Sequence, residues 1–224
     1  MIYEYFPVEK DIRRREMLRK YVFFGIFTVV MVTILNGCSF YFQKPFVDPG
    51  LSGDKVTAGG LAVFPFIMGD AVVTASGIEA YCRSAGQEMT DRIRKKQPNV
   101  KVLSPAEVSS MLNNADLVSD YSKMAEDYKK VGILNTNIAG KIADALGVKY
   151  FIINNLHSLY NEVGKKEAIA ILTTQIWSAE ENHMVFECTK KQSASGILSA
   201  PFEKAVRFAA LSSTATLTSK VWKK

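Results

Sequence analysis

Two histidines and three cysteines are the full set of soft metal ligands and strong nucleophiles in this chain of 224 residues. His157 and His183 fall in separate strand-like runs, and neither stands in a His-x-x-x-His or Cys-x-x-Cys spacing. Zinc takes about four such ligands, or three with water, so no metal centre is expected. His157 is read instead as a strand-edge residue hydrogen-bonded to backbone. Acyl-transfer and nucleotide chemistry have no motif either: there is no Gly-x-Ser-x-Gly elbow and no Gly-x-x-x-x-Gly-Lys-Ser/Thr loop. Gly59-Gly60 precedes a strand, whereas a dinucleotide fingerprint follows one, so it reads as a turn. Asp70 comes after the first strand, at the ligand end of a parallel sheet, and capping a loop is its plainer role. Glu180-Glu181 occupies a hairpin turn, while paired catalytic carboxylates come from separate elements around a cleft. No catalytic residue and no cofactor is assigned. The alternatives are an enzyme using Asp70, Glu79 or tyrosines in a cleft, or a carrier with an apolar cavity for a small ligand.

Cys38 has a context the other cysteines lack. Arg19 and Lys20 begin the stretch Met17–Phe40, Tyr21–Leu35 is an uncharged apolar run, and Leu35-Asn36-Gly37-Cys38 closes it. This is the layout of a secretory signal peptide, and the run is shorter than the roughly 18 residues of a spanning helix. Its ending resembles the lipobox of bacterial lipoproteins. The resemblance implies cleavage between Gly37 and Cys38, a lipid on Cys38, and membrane lipid as its first partner. Ser39 stands where an Asp would retain such a protein at the inner membrane. The implied address is the outer membrane, facing the periplasm, with the inner membrane as the alternative. Residues 1–16 mix acids with Arg13-Arg14-Arg15 and fit this layout poorly. They read as an upstream extension before a start at Met17, or as a short cytoplasmic tail.

Loss of residues 1–37 leaves roughly 190 residues, the size of one domain with a real core. The net charge of +6 falls to about +4 in that part by residue count. Its basic clusters, Arg92–Lys96, Lys165-Lys166 and Lys190-Lys191, are scattered solvated faces rather than a nucleic-acid stripe. Two further cysteines are no disulfide framework. Cys82 on a helix face and Cys188 on a strand read as buried thiols, with a bridge as the alternative that an oxidising envelope permits.

The elements that must position these residues follow in order. Residues 38–59, rich in Pro and Gly, form a lipidated tether or surface-hugging lead-in. The domain is expected over 60–224. It opens with the strand Leu61–Phe66, with loop from Gly69 to Gly77. An amphipathic helix carries Ile78, Tyr81, Cys82, Ala85, Met89 and Ile93 inward, and a short strand spans Val100–Leu103. Ser104-Pro105-Ala106-Glu107 is a capping box with Pro at N1. Helices over Tyr121–Val131 and Asn135–Leu146 follow, the second stopped by Gly147. Strands come next over Val148–Leu156, Lys166–Trp177 and His183–Thr189, the last placing Met184, Phe186 and Cys188 on one side. A final helix turns Phe202, Val206, Ala209, Ser213 and Leu217 inward. The order β-α-β-α-α-α-β-β-β-α predicts an α/β (α+β) domain, with a single mixed sheet of about five strands and helices packed on it.

The Leu61–Phe66 strand, the passage Ile138–Phe151 around Gly147 and the hairpin from Ile176-Trp177 to Phe186 resemble one family. It is the lipoprotein domains related to the TolB amino-terminal domain, with the curli-secretion channel lipoprotein and the activator lipoproteins of penicillin-binding proteins. The resemblance implies an accessory or assembly role rather than an enzyme. It also implies a protein partner in the envelope, or copies of itself. Channel-forming members need extra membrane-spanning strands. Lys166–Trp177 and His183–Thr189 lack the alternating pattern of about ten residues each, so no pore is expected.

Overall fold

The computed structural model describes residues 44–72, 77–161, 166–196 and 201–223. Met17–Phe40, with the sites expected at Gly37 and Cys38, lies outside them. The described elements are β1 (Phe46–Val47), α1 (Gly53–Gly59), β2 (Leu61–Val63), β3 (Ile67–Val72), α2 (Ile78–Lys96), β4 (Val102–Leu103), α3 (Pro105–Asn114), α4 (Val118–Val131), α5 (Thr136–Leu146), β5 (Tyr150–Asn161), β6 (Glu167–Ser178), β7 (His183–Ser195) and α6 (Phe202–Val221). No helix among the described residues is long and apolar enough to cross a membrane.

One mixed sheet of seven strands holds the fold, in the order β1-β7-β6-β5-β2-β4, with β3 also on β5. β2 runs parallel to both β4 and β5, and β5, β6 and β7 form an antiparallel meander. This is the mixed α/β sheet expected, with two strands more. β3 replaces the loop expected from Gly69. β2 pairs with only the first three residues of the twelve-residue β5, so the rest of that edge is open, and Ile67–Val72 fills it. Pro65 sits in the break between β2 and β3, where its missing N–H costs no ladder bond. Gly69 is set by close approach: a Cβ there would lie 2.7 Å from the His157 carbonyl oxygen.

β1 is the second addition. From Phe46 onward the Pro- and Gly-rich lead-in hugs the domain: Phe46 and Val47 pair with Glu187 and Phe186 of β7. Ser52 caps α1 by accepting from the Lys55 amide at 3.3 Å, and Val56 is fully buried among Leu61, Val63 and Val221. At Gly53 the chain passes so near the Trp222 ring that a Cβ would lie 2.4 Å from it. Phe46, Val47 and Val56 thus pack with the elements that follow Gly60.

Helices cover both sheet faces, because the strand side chains alternate between them. α3, α4 and α5 pack over Ala62, Phe64, Phe151, Ile153 and Trp177. On the other face, α6 and the end of α2 cover Leu61, Val63, Ile152, Ile176 and Phe186. Farther along, α2 and α6 cover Leu156, Leu159, Ala168, Ala170 and Leu172. Local signals placed these helices well. Ser104 Oγ accepts from the Glu107 amide at 3.3 Å, and Glu107 Oε2 accepts from the Ser104 amide at 2.6 Å. Gly147 ends α5 at φ 59°, where a side chain would be strained.

The even alternation expected along β7 is broken. Ile176 pairs with Phe186 but Trp177 with Met184, so Val185 is an extra residue at a bulge. Met184 consequently packs toward α3–α5, while Phe186 and Cys188 pack on the opposite face.

Candidate functional site

The candidate carboxylates and histidines do not converge. Asp70 lies within β3 rather than in a loop after a strand, and pairs with Lys129 Nζ of α4 at 2.6 Å. Glu180 and Glu181 share the β6–β7 turn but face different lysines, Lys149 at 2.8 Å and Lys55 at 3.9 Å. These pairs are exposed, so each contributes little. His183 lies beside the Glu181 carbonyl at 3.2 Å and Asp48 Oδ2 at 3.4 Å. Among the described residues no three His, Cys, Asp or Glu side chains are grouped to hold a metal ion. Cys82 and Cys188 are both free and buried. Burial pushes their thiols up to about 12 and about 11, so neither is a thiolate at neutral pH.

The side chains that do converge lie across β5, β6 and β7, on the face turned away from α6. Gln175 is their hub, opposite Ile153 on one side and Glu187 on the other. Its Oε1 accepts from the Tyr128 hydroxyl at 2.7 Å and from Trp177 Nε1 at 2.8 Å. Its Nε2 donates to Glu187 Oε2 at 2.6 Å. Burial, then the Glu187 charge, raises the Tyr128 pKa, so that phenol stays a donor. One step along, Thr173 Oγ1 lies 2.8 Å from His157 Nε2 and 2.8 Å from Thr189 Oγ1. His157 is the extra residue where Leu156 pairs with Leu172 and Ser158 with Ile171. It is therefore a bulge residue bonded to a side chain, not a strand-edge residue bonded to backbone.

Beyond this ladder Ile171 lies between Ser158 and Lys191, and Ile169 between Tyr160 and Ser193. Neither isoleucine belongs to the three apolar clusters that the helices build with the sheet. Ile169 is 6% exposed, and Ile171 and Tyr160 are half-buried. Together they form a strip of two isoleucines and a tyrosine, edged by His157, Thr189, Lys191 and Ser193. Strip and ladder went unseen in the sequence. The only signal was Thr173-Thr174-Gln175 inside an otherwise apolar strand.

His157 gives this strip a pH response. Partial burial of the ring lowers its pKa, more than the Glu187 charge raises it. The stability it contributes is complete above the unfolded histidine value, near 6.5, and is lost as pH falls through the folded pKa. His157→Gln should therefore lose less stability than wild type between about pH 7 and 5, measured by urea denaturation at each pH. His183 titrates in the opposite sense, raised first by the Glu181 carbonyl and then by Asp48, and is common to both proteins. Parallel stability curves would show that His157 is not shielded.

No family model matches the chain, and no curated protein matches its sequence. Among solved structures it is similar to the PelC dodecamer from Paraburkholderia phytofirmans, at 10% identity and a TM-score of 0.48, over 81% of this chain and 97% of that one. It is also similar to a lipoprotein from Neisseria meningitidis, at 9% identity and 0.39, over 70% and 99% of the two chains. The LpoB C-terminal domain from Escherichia coli is similar at 11% identity and 0.36, over 63% and 95%. These are distant likenesses, and no residue role passes from them to this chain.

Proposed function

We propose that this is a non-enzymatic envelope lipoprotein, cut between Gly37 and Cys38 and anchored through Cys38 to the outer membrane. Its periplasmic domain acts as an accessory or assembly component by binding another protein. The observation that carries the reading is the strip along Ile169, Ile171 and Tyr160. Its apolar part-exposed surface comes from Ile171 and Tyr160, with exposed Lys191 at the rim; protein–protein interfaces share this apolar middle and polar rim, and tyrosine is enriched in them. Hydrogen bonds through Gln175 and Thr173 hold the neighbouring side chains in place, which limits the entropy lost on docking. The sequence resemblance to TolB-related lipoproteins points the same way. Anchoring would confine the domain near the membrane and raise its effective concentration for partners there. The several acyl chains of such lipoproteins hold stably where a single chain does not.

Two measurements test it together. A fatty-acid analogue should label wild type in cells and not Cys38→Ala; equal labelling sinks the anchor. A photo-crosslinker replacing exposed Lys191 should give one reproducible protein adduct in the native envelope, weaker in Cys38→Ala, while one at Lys95 on α2 gives none. An adduct to a second copy of this chain would make the partner itself. No adduct at Lys191 would remove the strip as an interface.

A further inference from the structure

β2 lies between β4 and β5. The chain leaving β2 and β3 enters α2, which packs on one face of the sheet. The chain leaving β4 enters α3, which packs on the other. Where neighbouring parallel strands send their chains to opposite faces, a crevice opens beyond their carboxyl ends, and open α/β sheets bind ligands there. A cleft of about 520 Å³ occupies this place, within the roughly 300–1,000 Å³ usual for small-molecule sites. Phe66 and Met68, from the chain after β2, form one wall, and Pro105 at the start of α3 forms another. Gly86 closes the inner side: a Cβ there would lie 2.9 Å from Pro105 Cγ and 3.6 Å from the Phe66 ring.

Two opposite charges stand at the mouth. Glu79 and Arg83 both line the cleft and both are exposed. They are four residues apart on α2, the spacing at which helix side chains commonly pair. Yet neither appears in an ion pair or hydrogen bond with the other, or with any other described residue. The Ser104 and Glu107 amides at the start of α3 are taken by its own capping box, and Glu79 and Arg83 are the charged side chains that line the cleft. Cys82 also lines the cleft.

We infer that this cleft binds a small zwitterion with an apolar body, such as an aromatic or branched amino acid. The apolar body lies against Phe66, Met68 and Pro105. Its carboxylate faces Arg83 and its ammonium faces Glu79. This site is separate from the sheet strip and independent of the lipid anchor.

Phenylalanine is the probe, read by saturation-transfer NMR on the full chain in detergent micelles. Wild type should bind it saturably. Ala106→Trp, which places an indole into the cleft from an exposed position on α3, should abolish that signal. Arg83→Gln should weaken phenylalanine and phenylacetate about tenfold, the loss expected for one charge-assisted contact, and leave phenethylamine unchanged. Glu79→Gln should do the converse. Arg83 has no ion-pair or hydrogen-bond partner among the described residues, so its variant reports binding even where Ala106→Trp does not fold. Absence of saturable phenylalanine binding to wild type overturns the inference. So does binding that Arg83→Gln and Ala106→Trp leave intact.

Discussion

Replacing Gln175 by leucine is expected to lower the unfolding free energy by about 2–4 kcal/mol, although leucine is close to glutamine in size. No cavity forms, so the loss is one of hydrogen bonding. Gln175 is 7% exposed, and Tyr128 and Trp177, which donate to its Oε1, are 3% and 8% exposed. Leucine would leave a buried phenol and a buried indole N–H without an acceptor, each costing about 1–3 kcal/mol. Glu187 is half-buried and regains water. Tyr128→Phe is the informative contrast: it removes one donor and leaves Oε1 bonded to Trp177, so its cost should be about 0.5–1.5 kcal/mol. Urea denaturation measures both, with the midpoint moving and the slope constant. Equal losses in the two variants would mean that Gln175 is not the hub.

That hub also marks how far the sequence could be read. The Ser104–Glu107 box, the Gly147 stop and the inward stripe of α2 depend on residues within a turn or two of one another, and all three were legible. The inward positions Val206, Ala209, Ser213 and Leu217 of α6 follow the same helical period, and all are buried. β3 was not legible. Gly69-Asp70 carries a loop's composition, and only the unpaired length of β5 makes that segment a strand. β1 is two residues long and owes its existence to β7. The flip of Met184 rests on one bulged residue that no alternation pattern reveals. Gln175 looked merely polar in an apolar strand, because its donor Tyr128 is 47 positions away. The cleft shows the same division. Glu79 could be named as a candidate and Arg83 stands one helical turn from it, whereas Phe66 and Pro105 become its neighbours only through the pairing of β2 with β4.

Phe64→Ala should be the costlier change, at about 3–5 kcal/mol. Phe64 is fully buried just after β2, with its ring centroid 4.9 Å from Phe151 and 5.3 Å from Tyr121, both tilted. Such aromatic pairs contribute about 0.5–1.5 kcal/mol beyond their buried area. The site cannot collapse easily. Phe151 is fixed in the centre of the sheet, and Tyr121 is tied to the Pro65 carbonyl at 3.4 Å, so the removed ring leaves a cavity. Phe64→Leu, which keeps most of the volume, should cost about 1–2 kcal/mol. Urea denaturation of the two variants separates cavity from chemistry, and a loss below about 1.5 kcal/mol for alanine would contradict the packing described. The change should also reach the cleft. Pro65 and Phe66 follow Phe64 directly and both line it, so folded Phe64→Ala should bind phenylalanine more weakly than wild type. Gln175 lies on β6, away from that crevice, and its leucine variant should bind phenylalanine as wild type does. Loss of binding in Phe64→Ala but not in Gln175→Leu would tie the cleft to the packing beneath β2 rather than to stability in general.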